Sequence, residues 1–243
     1  MPRALILNPN TSTSVTSMLT EHVADILGAT WQLQAITATF GAQYIASETA
    51  YAIAAHATLD AFAQAQNHEY NVVLVGCFGD PGLEALREIA SIPVVGLAEA
   101  AMREAAGYGR FTIVTGGPRW APILKRRAQA AGLEAQLAHI HILQESGAEL
   151  ALNRDAAIRL LGLACEEAIS TSHPDVIILG GAALAGIGDI LAAQLGLPMI
   201  DSVSAAARAL RAAIDTRHQA PGPDGVAYSG ISPALARSLS VRI

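Results

Sequence analysis

Two apolar, β-branched segments far apart in the chain end in almost the same way. The first, Val72–Cys77, reads VVLVGC, and the second, Val176–Gly181, reads VIILGG. Runs of this kind are typical of strands that are buried on both faces of a parallel sheet. The two segments are related by an offset of 104 residues (181 − 77). This spacing favours a duplicated α/β fold.

Two further pairs of segments repeat in the same order. Arg3–Asn8 matches Arg110–Thr115 at an offset of 107 (110 − 3), and Pro93–Gly96 matches Pro198–Asp201 at 105 (198 − 93). Parallel α/β sheets resemble one another at this level, which is the simpler explanation of any single match. Three matches in order, at nearly one offset, favour duplication instead.

The predicted fold is therefore α/β, with two pseudo-symmetric lobes. Each lobe is expected to be a mostly parallel four-stranded sheet flanked by helices. We expect residues 1–97 plus 203–243 to form the first lobe and residues 98–202 the second. The carboxyl ends of the strands would face one cleft between the lobes, where small-molecule sites commonly form.

Sequence periodicity also predicts individual elements within these lobes. Helices are expected over Thr13–Leu27 and Glu48–Gln66, and a helical pattern returns over Ile231–Ile243. A strand is expected over Ile92–Val95.

Composition excludes several classes of partner. The chain has 243 residues and a formal net charge of −6, so we expect no nucleic acid and no anionic membrane as partner. No apolar run approaches the roughly 20 residues of a spanning helix. The amino terminus opens directly into a strand, and the two cysteines lack metal-ligand spacing. These features predict a cytoplasmic protein without a signal peptide or a metal site.

Cys77 is the leading candidate for chemistry. A free cysteine at a strand end is often simply buried packing. However, Gly76 and Gly79 remove side-chain bulk around the thiol, and Gly79–Pro81 predicts a helix N-cap followed by a first-turn proline. A helix N-terminus is expected to lower the thiol pKa. A functional role is therefore favoured for Cys77, whereas Cys165 lies within a predicted helix and is expected to be inert.

Polar and glycine-rich loops supply candidate binding groups. Asn8–Ser12 carries two asparagines, more donors and acceptors than a helix cap needs, and suits a ligand with carboxylate or amide groups. Thr115 and Gly116 occupy the matching loop of the second lobe. Gly180–Ala183 and Gly186–Gly188 are candidates for a nest of backbone amides. No Walker pattern or dinucleotide fingerprint is present, which argues against nucleotide binding.

Three motifs resemble those of a known family. Asn8–Ser12, Gly76–Leu83 and Gly96–Met102 are similar to the hydantoin racemase branch of the aspartate/glutamate racemase superfamily, over nearly the whole chain. The resemblance implies two pseudo-symmetric lobes, no cofactor, a small-molecule substrate and a homo-oligomer. It also implies two cysteines facing each other, one removing the α-proton and the other reprotonating the opposite face. Cys77 matches the first cysteine, but Gly181 stands where the second is normally found.

The glycine leaves several interpretations open, because Gly181 cannot transfer a proton. In the first interpretation, water or another group transfers the proton on the second face of the α-carbon. In the second, position 181 has been mutated. In the third, the chain is a one-thiol relative similar to arylmalonate decarboxylases. In those enzymes the single cysteine belongs to the second lobe, so Cys77 would give the opposite product hand. A further alternative is a binding protein that has lost turnover. We favour a racemase acting at the α-carbon of a hydantoin-like or amino-acid-derived substrate.

The racemase hypothesis assigns a role to each candidate residue. Cys77 acts as general base or acid at the α-carbon. Backbone N–H groups are expected to hold the carbonyl oxygens as charge develops, from Phe78, Gly79, Gly181 and Ala182. The residues expected to orient the ring or carboxylate are Asn10, Ile45, Thr115 and Gly116.

Overall fold

The computed structural model describes residues 1–65, 69–216, 218–222 and 224–240. Within these residues the strands are β1 (Arg3–Asn8), β2 (Gln32–Thr37), β3 (Val72–Val75), β4 (Val94–Gly96), β5 (Phe111–Gly116), β6 (Leu137–Leu143), β7 (Val176–Gly180) and β8 (Met199–Asp201). The α-helices are α1 (Thr13–Leu27), α2 (Glu48–Ala65), α3 (Leu83–Ile89), α4 (Leu97–Ala106), α5 (Ala121–Ala130), α6 (Gly147–Ala151), α7 (Arg154–Ser172), α8 (Gly188–Leu195), α9 (Ser202–Ala213) and α10 (Pro233–Leu239).

The strands form two four-stranded sheets with the same internal order. The first sheet runs β2-β1-β3-β4 and the second β6-β5-β7-β8, and all neighbouring strands are parallel. Each sheet is flanked by helices, so the predicted duplication and α/β fold are confirmed. The apolar runs of β3 and β7 are fully buried, as expected for strands covered on both faces.

Two helices join the lobes. Helix α4 follows the last strand of the first sheet and contacts β5, β7 and β8 of the second. Helix α9 follows β8 and contacts α1, β3 and β4 of the first lobe, and α4 and α9 pack against each other. The largest group of buried apolar residues accordingly spans both sheets. The division into residues 1–97 plus 203–243 and residues 98–202 stays a prediction.

The predicted element boundaries are mostly close to those of the structure. Helix α1 has its predicted bounds, and Ser12 caps it by accepting a hydrogen bond from the Val15 N–H. Strand β4 begins at Val94, two residues later than predicted, because Pro93 has no N–H to donate to a neighbouring strand. The predicted helical positions at residues 66 and 241–243 lie outside the described residues.

No helix among the described residues combines the length and the apolar character that crossing a membrane requires.

Candidate active site

The carboxyl ends of strands from both sheets meet at a cavity between the lobes. It holds about 540 Å³ of atom-free space, part of it open to solvent. The residues lining it are Asn10, Val15, Tyr44, Ile45, Gly76, Cys77, Phe78, Thr115, Trp120, Gly147, Gly180, Gly181 and Ala182. Most of the predicted site residues are thus brought together. Gly79 and Gly116 are not among the lining residues.

The chain turns sharply directly after Cys77. The Cys77 carbonyl accepts hydrogen bonds from the N–H of Gly79 (2.8 Å) and of Asp80 (3.0 Å). Two hydroxyl groups of α2 form hydrogen bonds with the backbone of the residues that follow Cys77. Tyr51 donates to the Gly79 carbonyl (3.0 Å), and Thr58 donates to that of Pro81 (2.9 Å). The thiol is therefore carried on a turn that is fixed on the side away from the cavity.

Asp80 caps a different helix from the one predicted. Its carboxylate accepts hydrogen bonds from the N–H groups of Ala98 (2.9 Å) and Glu99 (2.8 Å), in the first turn of α4. The predicted N-cap before α3 is wrong, because the left-handed backbone of Asp80 (φ 54°) directs the chain away and α3 begins only at Leu83. Complete burial raises the Asp80 pKa to about 7, although both N–H donors lower it.

The pKa of the Cys77 thiol is raised, and the expected lowering is therefore wrong. Burial is the main cause, since only 9% of the residue is exposed, and the nearby carboxylate of Asp80 adds to it. The N-terminus of α3 begins six residues beyond the sulfur (83 − 77) and does not offset these effects. At neutral pH the resting site holds mostly the thiol.

Several backbone donors that were expected to bind ligand are already used. The Gly79 N–H is bound to the Cys77 carbonyl, and the Gly181 N–H donates to the Ser202 hydroxyl (3.2 Å). A ligand-binding role for these two N–H groups stays a prediction. The N–H groups of Phe78 and Ala182 have no acceptor within the described part of the chain and remain available.

Two predicted binding glycines instead make room for protein neighbours. A Cβ on Gly79 would lie 2.6 Å from a ring carbon of Trp120, and one on Gly116 would collide with the Glu145 carbonyl. Neither glycine lines the cavity, and the expectation that they bind ligand stays a prediction. Their missing side chains allow Trp120 and the residue 145–147 loop to reach the cavity wall.

Phe78 and the two glycines that end β7 shape the middle of the cleft. The Phe78 ring crosses from the first lobe and lies where a side chain on Gly180 would be. Gly181 has a φ of 134°, and the nearest atom to a Cβ placed there is Leu184 Cγ, at 3.9 Å. The position of the missing cysteine is therefore spacious, but its backbone conformation favours glycine.

The predicted polar residues Asn10 and Thr115 both line the cavity. Asn10 Oδ1 accepts hydrogen bonds from Asn8 Nδ2 and the Ser12 N–H, each at 2.9 Å. Its Nδ2 has no acceptor among the described residues and is free to donate to a ligand. The Thr115 hydroxyl donates to the Gly180 carbonyl (2.6 Å), so only its lone pairs remain. Ile45 is buried and contributes an apolar wall.

A sequence profile of the family described as "Asp/Glu/Hydantoin racemase" matches residues 5–210. The chain belongs to this racemase family. It is 29% identical to a hydantoin racemase of Paenarthrobacter aurescens over 219 residues, covering 89% of this chain and 93% of the relative. It is 27% identical to a hydantoin racemase of Rhizobium meliloti over 235 residues, covering 96% and 98%.

Solved structures agree with the family assignment. The allantoin racemase from Klebsiella pneumoniae superposes with a TM-score of 0.90 and 28% identity, covering 97% of this chain and 99% of the other. Arylmalonate decarboxylase is more distant, with a TM-score of 0.63, 16% identity and coverage of 88% and 93%. The second likeness shows a shared fold only, so the decarboxylase is a distant neighbour of this racemase-family chain.

Sequence reasoning missed two aromatic residues of the racemase-family site. The Tyr44 oxygen accepts a hydrogen bond from the Gly147 N–H (2.9 Å) at the start of α6. Burial raises the Tyr44 pKa, while the Gly147 N–H and the Trp120 indole N–H act on the same oxygen to lower it. The two missed residues are Tyr44 and Trp120. The only sequence feature that could have pointed to them is the small number of such residues, two tryptophans and five tyrosines in the chain.

Proposed function

We propose that the chain racemises a neutral, hydantoin-like cyclic amide by proton transfer at Cys77, without a cofactor. One observation carries this proposal. The single thiol that reaches the interlobe cavity stands at the carboxyl end of β3, in a chain of the racemase family. A cysteine so placed is suited to exchange a proton with a carbon acid bound in the cleft.

The lining of the cavity favours a substrate without a full charge. Among the described residues that line it there is no Lys, Arg, His, Asp or Glu. A carboxylate bound there would lose its hydration without gaining a cationic partner, which is costly. A cyclic amide needs only hydrogen bonds, and the relatives named above include hydantoin racemases.

The proposed reaction removes the ring α-proton to the Cys77 sulfur and forms an enolate. Three groups are free to donate to its oxygen, namely Asn10 Nδ2 and the N–H groups of Phe78 and Ala182. Preorganised donors of this type contribute about 3 kcal/mol each where they have been measured. Val15 and Ile45 supply apolar surface for the ring substituent.

A one-cysteine decarboxylase is the second candidate. The glycine at position 181 favours it, because only one sulfur lines the cavity. In that reaction, loss of carbon dioxide from a malonate gives an enediolate, and Cys77 protonates it on one face. The uncharged lining argues against a dianionic malonate. Binding without turnover is the remaining alternative, and a homo-oligomer stays a prediction.

The test uses one enantiomer of 5-benzylhydantoin in D₂O, followed by polarimetry and proton NMR. A racemase loses optical rotation while the α-hydrogen is replaced by deuterium, and Cys77→Ser abolishes the loss of rotation. Cys165→Ser is the matched control and should behave as wild type, because Cys165 lies within α7, away from the cavity. Carbon dioxide release from a disubstituted malonate, without racemisation, would show a decarboxylase. Ligand-induced thermal stabilisation without either reaction would show a binding protein.

A further inference from the structure

We propose that Tyr44 is the second proton-transferring residue, serving the substrate face opposite Cys77. This inference rests on the racemase function proposed above. Racemisation needs a group on each face of the α-carbon, and Gly181 offers none. Among the described residues that line the cavity, only Cys77 and Tyr44 carry protons that ionise in the ordinary range of side-chain acids.

The two reactive groups are anchored on different lobes, although both residues belong to the first. Cys77 is fixed by the turn at the end of β3 in the first sheet. The loop carrying Tyr44 also belongs to the first lobe, but the phenol oxygen is bound to the Gly147 N–H of α6 (2.9 Å). Gly147 lies against Gly116 at the end of β5, since a Cβ there would be 3.2 Å from the Gly147 nitrogen. The hydroxyl therefore stands on the wall of the second lobe.

Tyr44 and Cys77 line the same cavity without a direct bond between them. Both residues line the same cavity, and no hydrogen bond joins the Tyr44 oxygen to the Cys77 sulfur in the described part of the chain. They are nevertheless near enough to interact electrostatically, because a charged Cys77 raises the pKa of Tyr44.

The surroundings of the Tyr44 oxygen favour proton donation into the cavity. The Gly147 N–H occupies one lone pair, and the Trp120 indole N–H acts on the same oxygen. The phenolic proton has no acceptor among the described residues, and the Gly147 N–H stabilises the phenolate against the burial that raises the Tyr44 pKa. Trp120 is buried between the lobes. Its ring lies so close to Gly79 and Gly117 that a Cβ added to either glycine would be 2.6 Å and 2.9 Å, respectively, from a ring atom.

The proton balance requires an active form with one proton missing from the pair. In one direction the Cys77 thiolate takes the α-proton, and Tyr44 donates its phenolic proton to the other face of the enolate. The enzyme then holds a thiol and a phenolate. The reverse reaction starts from that state, with the phenolate as base and the thiol as acid. No oxidant, reductant or further reactant is needed.

The experiment follows hydrogen–deuterium exchange of each 5-benzylhydantoin enantiomer separately, in the full chain. In Tyr44→Phe, Cys77 still removes and returns a proton on its own face. One enantiomer should therefore exchange within a few-fold of the wild-type rate with its configuration retained. Exchange of the other enantiomer, and racemisation from either, should fall at least 100-fold.

Tyr51→Phe is the matched control, because it also removes a half-buried phenol oxygen, one that donates a hydrogen bond to the Gly79 carbonyl. Because this bond fixes the Cys77 turn, any loss there should fall on the enantiomer whose proton Cys77 removes, which is the opposite pattern to that expected for Tyr44→Phe. Equal losses in Tyr44→Phe would indicate a structural role only and overturn the inference, as would wild-type exchange of both enantiomers. If the unmodified chain neither exchanges nor racemises, the proposed function itself has failed.

Gly181→Cys in the Tyr44→Phe background gives an independent result. A thiol at position 181 supplies a proton carrier on the wall of the second lobe. We expect the enantiomer whose exchange is lost in Tyr44→Phe to exchange at least tenfold faster in the double variant than in Tyr44→Phe. If Gly181→Cys alone racemises faster than Gly181→Ala, the thiol reaches the substrate, and absence of rescue in the folded double variant would then count against opposite-face transfer by Tyr44.

Discussion

The carboxylate of Asp80 lies only 2.5 Å from where a Cβ on Gly96 would stand. The glycine at the end of β4 thus allows a side chain from the Cys77 turn to cap α4. In the second lobe the equivalent helix, α9, is capped by a different residue. There Asp201, at the end of β8, caps its own following helix through the N–H groups of Val203 and Ser204. The pseudo-symmetry of the lobes is broken at the residue that ties the turn to α4.

Gly96→Ala should therefore destabilise the fold. The added methyl group meets the Asp80 carboxylate at 2.5 Å and Leu83 Cδ2 at 2.7 Å, so the turn must shift. We expect the free energy of unfolding to fall by about 1–3 kcal/mol in urea titrations. Gly162→Ala is the control, because a Cβ on this residue of α7 would lie an ordinary 3.6 Å from Leu191 Cδ2 of α8. That change should stabilise the protein by about 0.5–1 kcal/mol, and equal effects of the two changes would contradict the argument.

Asp80 should also make the stability of the protein depend on pH. Its pKa is about 7 in the fold and 3.8 in the reference state, so the folded form binds the extra proton. The resulting stabilisation is complete below about pH 4 and is lost as pH rises to about 7, by up to roughly 1.4 kcal/mol per unit. Urea titrations of wild type and Asp80→Asn between pH 4 and 8 isolate this contribution. A difference between the two proteins that stays constant with pH would contradict it.

The duplicated fold could be predicted because it depends on local apolar patterning. Buried parallel strands appear in the sequence as β-branched runs. The runs Val72–Cys77 and Val176–Gly181, which the constant offset paired, form β3 and β7, and these two strands occupy equivalent positions in their sheets. The convergence of Asn10, Cys77 and Thr115 also followed from topology, since the strand ends of a parallel sheet share one edge.

The remaining site features depend on contacts between distant residues. Asp80 precedes a proline and looks like a local helix cap, but its partners lie 18 and 19 residues away. Tyr44 binds Gly147, 103 residues further on. Sequence patterning gives no information on such pairs. The prediction of a lowered Cys77 pKa was wrong for a related reason. It rested on the nearby helix N-terminus, whereas the burial of the thiol depends on residues far away in the sequence.

Alkylation should be selective for Cys77 and strongly dependent on pH. The thiol lines the cavity, whereas Cys165 is fully buried between α7 and the second sheet. Because burial raises the Cys77 pKa, labelling by iodoacetamide should be slow at pH 7 and accelerate about tenfold per pH unit towards pH 9. Peptide mass mapping identifies the labelled residue. Labelling that levels off near pH 7 would show a low-pKa thiolate instead.

Gly181→Cys tests whether the space at the end of β7 accepts a second thiol. The nearest atom to the new Cβ is 3.9 Å away, so the side chain fits, but the φ of 134° strains any residue other than glycine. We expect a loss of about 1–3 kcal/mol in the free energy of unfolding. Gly181→Ala carries the same backbone strain without the sulfur, so the two variants should be equally destabilised. Racemisation measured by polarimetry should then be faster in the cysteine variant than in the alanine variant. Equal rates in both would show that a thiol at this position does not reach the substrate.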